Sequence, residues 1–363
     1  MRAVWWRAVG PPSVLELGEA AEPVPAPGEV LIRVEAAGIT FIETQTRAGR
    51  APKAGAVPPA VLGNGVGGTV AGVGADGDRG LVGRRVVASL NGTGGYAELA
   101  VAAARNVVPV PDGVPTLEAT ALLADGRTAL GLHELAAPRP GETVLVEAAA
   151  GGLGTLLVQL AVAAGARVIG AASGERKLAL IRDLGAEAVD YTVPGWADPL
   201  PGLDVVYDGV GGTIGREALA ATAPGGRFLV HGAAGGPFTQ PGGPSTQPGG
   251  PFTQPGGPST QPGGPFTQPG GPFTQPGGPF TQPGGPFTQP GGSLTQPGVT
   301  AFGFPELLRI GQQAPELTAR ALQAAAEGRL RPVIGQTFPL AHAADAHAAI
   351  EARQTLGKTL LIV

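Results

Sequence analysis

The stretch "AAAGGLGTLLVQLA", Ala148 to Ala161, holds the glycine spacing with the most chemical content in the chain. An apolar strand-like run, "ETVLVEAAA", leads into it and a helix-like run leaves it. A second apolar run, "ARVIGAAS", follows and ends at the expected distance for a strand–turn–helix–strand unit. In that setting Gly151 and Gly152 let the backbone approach a pyrophosphate, and the phosphate charge rests on the positive end of the helix that follows. Gly154 lets the same helix pack closely on the strand. A purely structural turn is the other reading of a glycine cluster. The flanking strand and helix favour a nucleotide cofactor.

The end of the second strand bears on which nucleotide. A site built for NAD places an acidic residue there, to accept from the ribose 2′-hydroxyl. This chain has "AASGERK" instead, with Ser173 in that region and Arg176 and Lys177 just beyond. A hydroxyl and two cations suit a phosphate on the ribose, so the reading is NADPH over NADH. Glu175 is expected to turn away from its neighbours on the helix. An ordinary solvated helix start with mixed charge is the alternative.

Other chemistries lack their residues. The chain has no cysteine, which excludes disulfides and thiolate metal sites. The four histidines (His133, His231, His342, His347) do not cluster, and each is expected to be exposed or partly buried, so no metal site is expected. "GKT" at Gly357 to Thr359 looks like the end of a phosphate-binding loop, but Ala352 stands where that motif needs glycine and no helix follows. Net charge is −4, with no basic run and no aromatic–basic interleaving, so nucleic acid is not an expected partner. The most apolar segment is broken by Gln159 and glycines, and no signal-like stretch opens the sequence. A soluble cytoplasmic protein that avoids the membrane is the expectation.

The elements that must position these residues fall into two textures. Up to about Leu117 short apolar runs such as "EVLIRVEAAGI" and "GRRVVAS" alternate with glycine and proline, which reads as β-rich. From Glu118 strands and helices alternate: "ETVLVEAAA", "LGTLLVQLAVAA", "ARVIGAAS", "ERKLALIRDL", "EAVDY", "LDVVYD" and "GRFLVHGA". That order predicts a parallel sheet covered by helices on both faces. Further on, "VTAFGF" reads as a sixth strand and "PELTARALQAAAEG" as a helix. The tail gives one more helix and a final strand, and it can join the first segment in a single β-rich domain.

Many blocks, in order, resemble the zinc-independent branch of the medium-chain dehydrogenase/reductase superfamily, the NADPH:quinone oxidoreductases in particular. They are "AAGITFIETQTRAG", "LGNGVGGTVAGVG", "GGYAEL", "ALLADGRTALGLHEL", "AAAGGLGTLLVQLA", "LDVVYDGVGG" and "GKTLLIV". The resemblance implies an α/β chain in which a Rossmann doubly wound parallel sheet domain is inserted in a GroES-like β-rich domain. Its boundaries would be 1–118 and 329–363 for the GroES-like catalytic domain, and 119–328 for the NADPH-binding domain. By position, Gly151, Gly152 and Leu153 would hold the pyrophosphate, with Ser173, Arg176, Lys177 and Tyr191 around the adenosine phosphate. Gly209, Gly232 and Ala233 would line the cofactor cleft, Thr128 would sit near the nicotinamide, and Arg353 would approach from the tail. A homodimer joined through the Rossmann sheet edges is also implied. The departures lie at the substrate end, where Thr40, Glu43 and Gln45 replace the family's frequent asparagine, aspartate and tyrosine.

Quinone reduction with NADPH is the leading reaction, because orienting an electrophilic acceptor against the cofactor supplies most of the rate without a metal. Thr40 and Thr128 would be the catalytic, reactant-positioning residues, with protons from solvent. Reduction of an enone or enoyl thioester stays open, although no tyrosine or lysine is an evident proton donor for it. A third class is a binding protein that uses the repeat at 235–297, nine copies of a Gly/Pro-rich heptapeptide beginning "GGPFTQP". With glycine and proline at four of seven positions in most copies, no helix can form. The low-complexity segment is expected to be an extended excursion that weakens dimerisation.

Overall fold

The computed structural model describes residues 1–50, 56–75, 77–90, 92–236, 296 and 298–363. Apart from Gly235, Gly236 and Gln296, the repeat lies outside the described residues, and so does the expectation of an extended excursion there.

The first part of the chain forms β1 (Arg2–Trp6), β2 (Leu15–Glu19), β3 (Glu29–Ile39), α1 (Phe41–Arg47), β4 (Ala60–Val61), β5 (Gly65–Val73), β6 (Arg85–Ser89), β7 (Leu99–Ala103) and β8 (Val107–Pro109). A long helix follows, α2 (Thr116–Ala136), and then β9 (Thr143–Glu147), α3 (Gly152–Ala163), β10 (Arg167–Ala172), α4 (Glu175–Asp183) and β11 (Glu187–Asp190). Next come β12 (Leu203–Asp208), α5 (Gly212–Ala220), β13 (Thr222–Val230) and β14 (Thr300–Phe302). The last part is α6 (Phe304–Gln312), α7 (Ala314–Ala326), β15 (Ile334–Pro339), α8 (Ala343–Glu351) and β16 (Lys358–Ile362).

The alternating region forms a six-stranded sheet in the order β11-β10-β9-β12-β13-β14, parallel throughout. Its two faces are read directly from the strand alternation. Val144 and Val146 of β9 join the core that contains α2 and α3, whereas Leu145 joins Ile169, Val206, Phe228 and Ala218 of α5 on the other side. The strand order reverses between β9 and β12. Ligands of open α/β sheets sit at the carboxyl ends of the strands at that reversal.

The β-rich region is completed from the far end of the sequence. A seven-stranded sheet runs β15-β16-β3-β5-β6-β8, with β7 also on β3, and β16 pairs antiparallel with β3 in the register Thr359↔Ile39. A smaller sheet, β2-β1-β4, lies beside it. α8 is held on α1 by the buried Arg47, which donates to Glu351 at 2.5 Å and to the carbonyl of Gly10. The region up to Leu117 is β-rich, and it also contains α1 and the start of α2, which the sequence patterning does not separate. Sequence patterning also misses α5, α6 and β15. No helix among the described residues is long and apolar enough to cross a membrane.

Candidate active site

The glycine turn is built as its residue types require. Ala148 leaves β9 at φ 49, and the turn closes with Gly151 N–H donating to Ala148 O at 2.9 Å and Ala149 N–H to Ala171 O at 3.1 Å. α3 then opens with Gly151 as its N-cap and no side chain capping it. The N–H groups of Gly152, Leu153 and Gly154 therefore have no partner within the helix, and they point outward from its positive end. A Cβ on Gly152 would stand 2.2 Å from Asp125 Oδ2, and one on Gly154 would stand 2.3 Å from Ala148 O. Neither position has space for a side chain.

The tail closes this turn from below. Gly357 N–H donates to Ala150 O at 2.7 Å, and Gly357 bridges Gly151 in a parallel pair. Lys358, 4% exposed, reaches Asp125 at 3.1 Å directly under Gly152. Sequence reading dismisses "GKT" as a failed phosphate loop and singles out neither Lys358 nor Asp125. Their partners lie more than two hundred positions away in sequence, beyond the reach of any local pattern.

Four of the residues expected around an adenosine phosphate, Ser173, Lys177, Tyr191 and Arg353, come together. Ser173 hydrogen-bonds the Tyr191 hydroxyl, whose pKa is raised, chiefly by burial. Lys177 Nζ donates to the carbonyl of Arg353 at 2.7 Å, and Arg353, held at φ 56, donates through Nη2 to Ala234 O at 3.0 Å. Burial pushes the Lys177 ammonium below its usual range, and the Arg353 charge pushes it the same way. Neither cation has a carboxylate partner among the described residues. Arg176 stays apart, exposed on the first turn of α4. Glu175 is drawn off to Arg182 at 2.6 Å.

The cleft wall is made where Gly209 and Gly232 meet. A Cβ on Gly232 would lie 2.4 Å from Gly209 O, so the two turns touch backbone to backbone. Ala233 follows on the second of these turns, and Gly235 N–H donates to Val210 O at 2.7 Å. His231 lies against Gly209, and burial drops its pKa to about 4.

Thr128 and Thr40, expected to position the reactants, use their hydroxyl protons locally. Thr128 Oγ1 donates to Ala124 O at 2.8 Å, and Thr40 Oγ1 donates to Glu43 Oε2 at 2.7 Å. Glu43 is 5% exposed, also accepts from the N–H groups of Thr40 and Asn64, and burial raises its carboxyl above the usual range. The Tyr96 hydroxyl adjoins Glu43 and lies 3.1 Å from His347 Nε2. His347 is fully buried, which corrects the expectation of an exposed or half-buried ring, and burial drops its pKa to about 3.

Two buried neutral histidines set an acid limit on the fold. An unfolded chain takes up these protons near the ordinary histidine pKa of about 6.5, while the folded chain resists until much lower pH. Stability is therefore complete above that range and is lost as pH falls towards 4. Urea midpoints at pH 7 and pH 5 should show the loss, and His347→Gln should make it shallower. An equal loss in that variant would remove His347 from the account.

A parallel sheet with a glycine turn and bare helix end at its reversal, backed by a β-rich sheet carrying polar residues, defines a dinucleotide-dependent oxidoreductase. Two family models match the chain: the alcohol dehydrogenase GroES-like domain over residues 26–112 and the zinc-binding dehydrogenase model over residues 184–361. The chain is 37% identical to a quinone oxidoreductase of Pseudomonas aeruginosa over 249 residues, covering 66% of this chain and 75% of that one. It is 33% identical to a 2-haloacrylate reductase of a Burkholderia species, over 58% and 67% of the two chains. Among solved structures it resembles the quinone oxidoreductase of Thermus thermophilus, determined also with NADPH, at 32% identity and a TM-score of 0.73 over the whole of both chains. A mycobacterial protein determined with NADPH matches at 31% identity and a TM-score of 0.78, again over both whole chains. The chain belongs to the quinone oxidoreductase-like, zinc-independent branch of the medium-chain dehydrogenase/reductase superfamily.

Proposed function

We propose that the protein is an NADPH-dependent reductase of quinones. The observation that carries the cofactor is the Lys177–Arg353 cation pair beside Ser173 and Tyr191, since two crowded cations with no carboxylate partner suit a ribose phosphate dianion. The bare N-terminus of α3 at Gly151–Leu153 suits the pyrophosphate. Bound there, NADPH supplies a hydride, which with one proton converts a quinone to its hydroquinone.

In this reading Gly209, Gly232 and Ala233 are the wall on the nicotinamide side, and Thr128 of α2 is assigned to the same crevice. Thr40, fixed by Glu43, orients the acceptor. This is catalysis by placement, which an acceptor as electrophilic as a quinone allows. The named relatives include both quinone oxidoreductases and a 2-haloacrylate reductase, whose named substrate is an activated alkene. An enone or a 2-haloacrylate is therefore the second reading. A homodimer joined through β14, the outer strand of the parallel sheet, completes the proposed assembly.

The test is oxidation of NADPH and of NADH by the pure protein, with a benzoquinone and an enone in parallel. Quinone turnover with NADPH preferred is expected, and turnover of the enone alone would replace the reading with the second one. Lys177→Ala is expected to raise the KM for NADPH about tenfold, the loss of one charge-assisted contact, and to leave the KM for NADH unchanged. An equal effect on both cofactors would remove Lys177 from the phosphate site.

A further inference from the structure

The two strands that flank the reversal of the sheet both end in a carboxylate. Glu147 closes β9 and Asp208 closes β12, and the register Tyr207↔Val146 sets them side by side. Both are completely buried. Asp208 Oδ1 accepts from the N–H groups of Gly211 at 2.7 Å and Val210 at 2.9 Å, and Glu147 Oε2 accepts from Val210 at 3.2 Å. The other oxygen of each, Glu147 Oε1 and Asp208 Oδ2, is buried without a donor. Two ionised carboxylates can only accept, so a dry site cannot hold both in that state.

We propose that Glu147 and Asp208 share one proton, and that this pair is the positioning device that fixes the 208–212 turn as a wall of the cofactor crevice. The inference rests on the crevice being the NADPH site. One proton resolves both orphaned oxygens, as an O–H on one carboxyl donating to the other. Burial, reinforced by Asp208, holds the Glu147 carboxyl well above the usual range. The remaining titratable groups that face the pair do not supply a counter-charge. His231, at the end of β13, is kept neutral by burial, and its backbone N–H donates to Asp208 O at 2.8 Å. Tyr191, beyond β11, is bonded to Ser173.

What the pair holds is a turn with little freedom of its own. Gly211 and Gly212 have φ of 68° and 60°, and a Cβ on either would lie 2.7 Å from a carbonyl of Gly236 or Gly235. The 232–236 turn rests on it, and Arg353 is anchored to that turn at Ala234. Loss of the shared proton puts two like charges side by side in the dry site, and their repulsion strains the strand ends that hold Val210 and Gly211. The unfolded chain ionises Glu147 in the ordinary carboxylate range, so the contribution of the shared proton is complete below that range. It declines as pH rises towards the raised folded value.

The test compares wild type, Glu147→Gln and Glu147→Ala by two readouts. One is the thermal midpoint of the cofactor-free protein, and the other is the Kd for NADPH from fluorescence titration, each taken across neutral to alkaline pH. The side-chain amide introduced by Glu147→Gln donates to Asp208 without a proton to lose, so the midpoint of that variant is expected to fall less with pH than that of wild type. Its Kd at pH 7 should stay within about threefold, whereas Glu147→Ala should raise it about tenfold or more. Parallel midpoint curves for wild type and Glu147→Gln would overturn the shared proton. Unchanged affinity in Glu147→Ala would overturn the positioning role. Divergent midpoint curves in a wild type that does not bind NADPH would keep the shared proton and overturn both the positioning role and the cofactor reading.

Discussion

Gly154→Ala is expected to raise the Kd for NADPH about a hundredfold, or ~2.7 kcal/mol. The added methyl would stand 2.3 Å from Ala148 O, 2.7 Å from Ala149 Cα and 2.9 Å from Ala149 C. All three atoms are backbone, so no side-chain rotation relieves the overlap. The turn cannot yield cheaply either, since Ala148 already sits at φ 49 and Ala149 is tied to β10 through Ala171 O. The helix must move off the turn, which carries the first-turn N–H groups away from the pyrophosphate. Overpacking of this kind also costs the fold about 1–3 kcal/mol. Fluorescence titration with NADPH, alongside urea unfolding, reads both effects. A variant that binds as wild type would show that α3 is not where the pyrophosphate rests.

Lys358→Ala is expected to destabilise the protein by about 3 kcal/mol, the low end of the range for removing one partner of a buried ion pair. The ammonium lies 3.1 Å from Asp125, in a spot bounded by Gly38 and Gly152. With the cation gone, the Asp125 carboxylate stays in a largely dry site against Gly152. The Asp125→Asn/Lys358→Ala double variant should recover part of the loss, because the stranded charge has gone. Urea midpoints of the three proteins decide it. A loss below about 1 kcal/mol in the single variant would mean that water reaches Asp125 freely.

The parallel sheet is readable from sequence because its signal is local. Each of β9, β10, β12 and β13 contains an apolar run, and the glycines of 151–154 mark where the first one turns. The same locality explains the misses. β15 carries Gly335, Gln336 and Thr337 at the sheet's edge, and its burial alternates between half-buried and exposed, so it gives no apolar run. α1 is short and opens with Thr40 and Glu43 as a capping box, inside a stretch that reads as β-rich. Glu147 reads as an ordinary strand end, and only the register of β12 shows that it faces another acid. The tail residues Arg353 and Lys358 gain their roles from contacts with Lys177, Ala234 and Asp125, far away along the chain.

The pairing of β16 with β3 also joins two segments from opposite ends of the chain. Residues 36–39 of β3 find their second neighbour only in residues 359–362, which lie beyond the whole parallel sheet along the chain. Until β16 pairs, the earlier β-rich part has one strand edge open. An open apolar edge is an invitation to the wrong partner, and the wait lengthens with everything inserted between the two strands. Yield of folded protein, more than its final stability, is where the length of the intervening chain should be felt.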